Sequence, residues 1–245
     1  MQVSVGPHVA RIVLVGDVHG CIDELRRLLV ACAYDPEADV VVLLGDLVAK
    51  GPGSADVVSL AKDMGWLAVR GNHDDYVVRH WHARRDGREP DADLVVDSEH
   101  ARLAVELDTD SLAFLDALPL VLVLDTEPAI VCAHAGVDSI RALDAQDGAF
   151  CMTTRTGGDR FIPPSDGATL FYGHNATKGH VRTAHAEGLD SGCCYGGFLS
   201  AVVIERGKDG DGRAFDVAGR RLVQERAARQ YAPPSAPLAY LDAAT

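Results

Sequence analysis

Five short apolar runs in this chain each end on a residue that can bind a metal ion. VLVGD closes on Asp17, VLLGD on Asp46, LAVRGN on Asn72, IVCAH on His134 and TLFYGH on His174, and His19 follows two residues after the first tip. In open α/β sheets the active site lies outside the carboxyl ends of the strands, so these tips are expected to converge. Their side chains offer carboxylate, amide and imidazole donors and no thiolate. That mixture suits Mn, Fe or Zn better than a structural thiolate zinc site. Six donors are too many for one metal with an open position. They suit two divalent ions about 3.5–4 Å apart, one carboxylate bridging. Such a pair supplies hydroxide at neutral pH and clamps the oxygens of a phosphoryl group. The expected chemistry is hydrolysis of phosphate esters or anhydrides.

The elements that must carry these tips can be read in outline. Residues 11–15, 40–44 and 66–69 have the continuous Val/Leu character of buried strands. Between them, 21–32 and 54–64 have helical spacing, and strands separated by helices imply crossovers and a parallel sheet. Residues 84–93 read as an exposed loop and 94–118 as helices. After Pro119 the pattern changes to paired strands at 120–125 and 129–134. An irregular Gly/Asp/Pro-rich stretch follows at 144–166, then short strands near 169–172, 181–185, 199–205 and 214–224. Parallel first and antiparallel later suggests two sheets packed face to face with helices outside. One catalytic domain over residues 1–230 is expected, with 231–245 as a flexible tail.

Composition bounds the partners. The chain has 245 residues and a formal net charge of -13, which argues against a DNA binder or a general nucleic-acid binder. A local basic pocket for an anionic substrate remains compatible with that charge. The six cysteines show no framework spacing, so reduced thiols and a cytoplasmic location are expected. No window approaches the length of a membrane span, so no membrane partner is expected. His8, His80, His82, His100, His180 and His185 fall outside the strand-tip pattern and read as solvated or capping residues. Cys21 reads as a packed thiol, and Arg70 as a structural partner of an acidic neighbour such as Asp74.

The stretches GDVHG (16–20), GDLVAKGP (45–52), RGNHD (70–74), HAG (134–136) and FYGH (171–174) resemble, in order, those of the metallophosphoesterase superfamily, phosphoprotein-phosphatase type. The resemblance implies a four-layer αββα sandwich, two mixed β-sheets flanked by helices, with the site in the loops after the strands. It implies one metal on Asp17, His19 and Asp46 and a second on Asp46, Asn72, His134 and His174. Mn is preferred, with Fe, Zn or Co as alternatives. It assigns His73 as the general acid for the leaving oxygen rather than as a ligand, with in-line attack by a hydroxide bridging the metals.

Departures from the family pattern narrow the substrate. Members that act on phosphoserine and phosphothreonine carry an Asp-Arg pair where this chain has Ala49 and Lys50, and a Glu where it has Asp74. That Asp supports the protonated acid His. Without it, either His73 is less basic or a carboxylate such as Asp74 or Asp75 compensates. An anhydride needs less protonation of its leaving group, because phosphate is a weaker base than an alkoxide. The block DSGCCYGGFLSAVV (190–203) resembles the end of symmetrical diadenosine tetraphosphatases and ApaH-like phosphatases. The expected substrates are therefore dinucleoside polyphosphates, messenger-RNA caps or inorganic polyphosphate. The competing readings are a serine/threonine protein phosphatase and a catalytically silent binding protein. Lys50 and Arg155 are the candidates for gripping phosphates, and Tyr195 for contacting phosphate or stacking on a base.

Overall fold

The computed structural model describes residues 1–96, 98–155, 167–207 and 212–242. In chain order the elements begin with β1 (Gln2–Ser4), β2 (Arg11–Val15), α1 (Ile22–Ala31), β3 (Asp39–Leu43), α2 (Ser54–Asp63), β4 (Leu67–Ala68), α3 (Asn72–Arg85), α4 (Glu99–Glu106) and α5 (Thr109–Ala117). They continue with β5 (Val121–Asp125), β6 (Ile130–Ala133), α6 (Gly148–Thr153), β7 (Thr169–Tyr172), β8 (Val181–Arg182), β9 (Ala186–Gly188), β10 (Asp190–Ser191), β11 (Phe198–Glu205), β12 (Arg221–Arg226) and α7 (Ala239–Asp242).

Two mixed sheets result. One runs β10-β11-β2-β3-β4, with β12 also paired to β11, and the other β1-β5-β6-β7-β9-β8. Strands β2, β3 and β4 are parallel, with Val13 opposite Val41 and Leu14 opposite Val42. Alternate side chains then serve two cores. Val13, Val15, Val41 and Leu43 pack with Leu25, Leu28, Val57 and Val58 of the helices. Ile12, Leu14, Val42 and Leu44 meet Leu122, Leu124, Ile130, Cys132 and Phe171 of the other sheet. Burial on both faces explains why these strands read as unbroken apolar runs. The sandwich expected from the sequence is present, but its outer layers are unequal. The far side of the second sheet packs Val131 and Leu170 against Val137 and against Cys151 of the six-residue α6.

Helix α3 was not visible in the sequence pattern, yet it carries Asn72 and His73 at its first turn. Its apolar positions are few among His and Arg residues, and its start is fixed by tertiary hydrogen bonds. Asp74 accepts from Gly71 N–H at 2.9 Å, and also from Leu47 N–H at 2.9 Å and Val48 N–H at 3.3 Å. Residues 94–118 hold two helices, the second capped by Asp108. Of the stretch expected to be irregular, 148–153 form α6 and 156–166 lie outside the described residues.

Candidate metal centre

All five tips sit at the same edge of the sandwich, and the backbone there is unusual. His19, Asp46, Ala49, Lys50 and His174 have φ between +46° and +70°, and the described chain has one other non-glycine residue of this kind, Ala33. Left-handed backbone persists where the surroundings enforce it, and it clusters at functional sites. The glycines before the ligands have a steric role. A Cβ on Gly71 would collide with the Asp46 carboxylate, and one on Gly173 with that of Asp17. Each glycine thus leaves room for a neighbouring tip's carboxylate.

Hydrogen bonds orient the imidazoles. His19 Nδ1 lies 3.1 Å from Val48 O and His134 Nδ1 lies 2.8 Å from Leu44 O. A carbonyl only accepts, so both rings carry their proton on Nδ1. Both Nε2 atoms then point at Asp46 Oδ2, each at 3.4 Å. Two lone pairs facing a carboxylate oxygen repel unless a cation or proton stands between them. His174 Nδ1 and His134 Nε2 both lie 3.1 Å from Asn72 Oδ1. Backbone carbonyls holding the second ring nitrogen are what metal-bound histidines commonly have. These residues fit a pair of divalent ions.

The electrostatics agree. Asp17, Asp46 and His134 are buried, with donor atoms within 4.8 Å of one another. Burial raises the Asp17 carboxyl well above its ordinary range, and Asp190 and Asp46 add to the rise. Burial alone would lower the His134 imidazole, but the Asp46 and Asp17 carboxylates push it up to about 10. The field that keeps a proton there would also hold a cation. His174 goes the other way, down to about 4, through burial and the nearby His134. The α3 N-terminus keeps the Asp46 carboxylate ionised, with His73 N–H donating to Asp46 Oδ1 at 2.9 Å.

Lys50, Arg155 and Tyr195 all line the chamber above these ligands. Lys50 Nζ reaches His19 Nε2 at 2.8 Å and stands 5.2 Å from the centre of the Tyr195 ring. The ammonium here takes the side of Nε2 where a metal would bind. Arg155 sits at the rim, its Nη1 donating to Asn175 Oδ1 at 3.3 Å.

Several expectations need correction, among them His80, which is buried rather than solvated. His100 is neither solvated nor a cap: its Nε2 lies 2.8 Å from His73 Nδ1. Asp74 and Asp75 do not serve His73, because Asp74 holds backbone amides and Asp75 pairs with Arg70 at 3.3 Å. Arg70 is, as expected, the structural partner of acidic residues, but of Asp75 and Asp116 rather than Asp74. Asp190, buried and lining the chamber, was also not singled out. Its signal was its position at the start of the DSGCCYGG block. His100 had no sequence signal, because its contact depends on how α4 packs on α3.

Residues 10–150 match the calcineurin-like phosphoesterase family. Among curated proteins, the symmetrical bis(5'-nucleosyl)-tetraphosphatase of Serratia proteamaculans (strain 568) is 41% identical over 127 residues, covering 51% of this chain and 42% of the relative. That of Klebsiella pneumoniae (strain 342) is 40% identical over 126 residues, covering 51% and 42%. The chain thus matches less than half the length of these relatives. Among solved structures, a protein provisionally described as a diadenosine tetraphosphatase superposes with a TM-score of 0.74 at 28% identity, covering 92% of this chain and 97% of that one. A serine/threonine phosphatase from Saccharomyces cerevisiae shares the fold, with a TM-score of 0.57 at 17% identity, covering 98% of this chain and 87% of that one.

Proposed function

We propose that this chain, which belongs to the calcineurin-like phosphoesterase family, hydrolyses phosphoanhydride bonds in dinucleoside polyphosphates. The observation that carries this reading is the convergence of His19 and His134 Nε2 on one Asp46 oxygen, at 3.4 Å each. Calcineurin-like phosphoesterases use a dinuclear metal centre. Here Asp17, His19 and Asp46 would hold one ion, and Asp46, Asn72, His134 and His174 the other. Bound there, the pair supplies a water acidic enough to attack at neutral pH and offsets phosphoryl charge. The mixed nitrogen and oxygen donors favour Mn, with Fe, Zn or Co as alternatives.

The chain's own residues do the rest. Lys50 and Arg155 hold the phosphate oxygens from the two sides of the chamber, and Tyr195 bounds it beside Lys50. His73 delivers the proton to the leaving oxygen, and His100 holds its ring by the 2.8 Å bond to Nδ1. An imidazole partner supports a protonated His73 less than a carboxylate does. That suits a phosphate leaving group better than an alkoxide. The names of the curated relatives support a symmetrical cut. Among the described residues no helix is long and apolar enough to cross a membrane. The six buried free cysteines suit a reducing compartment, and we place the protein in the cytoplasm.

The test is turnover of diadenosine tetraphosphate, capped RNA, polyphosphate and a phosphopeptide with Mn or Co, with products resolved by chromatography. ADP as the sole nucleotide product is expected. Turnover confined to the phosphopeptide sinks the anhydride reading, and no turnover of any substrate leaves a binding protein.

A further inference from the structure

A second cavity adjoins the metal chamber. The chamber above the ligands measures about 480 Å³ and its neighbour about 590 Å³. Both volumes fall in the range of about 300–1,000 Å³ usual for small-molecule sites. Lys50 lines both cavities and so marks their junction. One wall of the outer cavity is α4, through Glu99, Arg102 and Glu106. The other is the segment after β12, through Arg229 and Tyr231.

The charge and shape of the outer cavity suit a nucleoside phosphate. Lys50, Arg102 and Arg229 outnumber its two carboxylates, on a protein whose net charge is -13. The Arg102 guanidinium is exposed and only loosely held, 3.6 Å from Glu99 and 3.8 Å from Glu106. Exposed pairs of this kind are weak, so Arg102 is free to turn to a phosphate. Tyr231 is fixed, its hydroxyl donating to Glu24 Oε1 at 2.8 Å, and the Arg229 guanidinium lies 5.1 Å from its ring centre. The guanidinium lies over the ring and is exposed, so as Arg229 turns to a phosphate it uncovers a held aromatic face on which a base can stack.

Reaction direction selects this cavity. In an in-line displacement the leaving group departs on the side of the general acid. His73 is tied to His100, and His100 stands on the same helix that walls the outer cavity. A further cavity of about 330 Å³ also touches His100, but its lining includes Asp93 and no lysine or arginine. A chain of phosphates would be repelled there.

We infer that the outer cavity binds the leaving half of the substrate, a nucleoside phosphate, with its phosphates on Arg102 and Arg229 and its base against Tyr231, an inference that rests on the dinucleoside polyphosphate reading above. The test compares the wild type with the double variant Arg102→Ala, Arg229→Ala. Both side chains are exposed, so the fold should survive. Two measurements are made: kcat/KM for diadenosine tetraphosphate relative to that for p-nitrophenyl phosphate, which has no second half, and equilibrium binding of ADP. The ratio is expected to fall about tenfold or more, mainly through KM, with ADP binding weakened alongside. A ratio and an ADP affinity both within about twofold of wild type overturn the inference while leaving the anhydride reading intact. If the wild type cleaves p-nitrophenyl phosphate but no dinucleoside tetraphosphate, the anhydride reading fails, and ADP binding decides alone. Weaker binding by the double variant then upholds a nucleotide site, and unchanged binding overturns it.

Discussion

The sheet containing β2, β3 and β4 packs its outer face on helices including α1 and α2, whereas the sheet containing β6 and β7 has the short α6 in that position. Their candidate metal donors differ in the same sense. His19 and Asp46, on the helix-backed side, are tied to each other through His19 N–H and Asp46 O at 2.8 Å. The candidate donors from the other sheet are held from across the gap. His134 is oriented by Leu44 O, and His174 by Asp17 through its N–H and by Asn72 through its ring. One sheet acts as a template onto which the other delivers two imidazoles. Damage on the template side should therefore spread to both metals, and damage on the other side should stay local.

The largest effect is expected from Asp46→Asn, since Asp46 faces ligands from both sheets. Loss of an outer partner of a metal ligand costs about 10–100-fold, so kcat should fall by more than about 10²-fold. Metal content by mass spectrometry should drop for both ions. Retention of two ions would break the template picture. Next comes the acid side. His73→Asn should cut kcat about 10²-fold with metal content unchanged, and His100→Leu about tenfold. The His100 effect should grow with aryl phosphates of poorer leaving groups; a uniform loss across the series would reduce His100 to packing.

The two delivered histidines should then separate. His134 is fully buried and tied to the template by its ring, while His174 is partly exposed. His134→Asn is expected to cost about tenfold more activity than His174→Asn. Equal losses, read from kcat at saturating Mn, would put the two on the same footing. The smallest effect is a stability slope in chelator-treated protein. The folded His134 sits up at about 10, above an ordinary value of about 6.5. Its contribution is complete below about 6.5, declines as pH rises and is lost above the folded value. Thermal scans between those limits should show Tm falling with pH, and His134→Asn should flatten the slope.

The convergence of the strand-tip donors was legible because each is local, a strand followed within four residues by its donor. The partners of the residues beside them were not. Arg70 reaches Asp116, and His73 reaches His100, 27 positions away, through the packing of α3 against α4. Helix α3 itself was hidden because its first turn is held by Asp74 bonding to the Asp46 loop rather than by a strong apolar period. Residues 231–245, read from composition as a flexible tail, include Pro233, Pro234, Ser235, Ala236 and Leu238 lining the metal chamber, a placement no local pattern encodes.

The left-handed backbone at His19, Asp46 and His174 has a consequence for redesign. Asn, Asp and His are the non-glycine residues most at home in that conformation. They are also the residues that offer oxygen and nitrogen to hard and borderline cations. One small alphabet thus spells both the turn and the coordination sphere. A combinatorial library restricted to Asp, Asn, His and Gly at these positions samples metal preference while keeping the loops' shape. Ala49 and Lys50 lie outside that alphabet. They adopt the same conformation at a cost of about 1–2 kcal/mol each, with their N–H groups clasped by Ser54 Oγ and Glu99 Oε2. Replacing either clasp should let the loop unwind even though no ligand is touched.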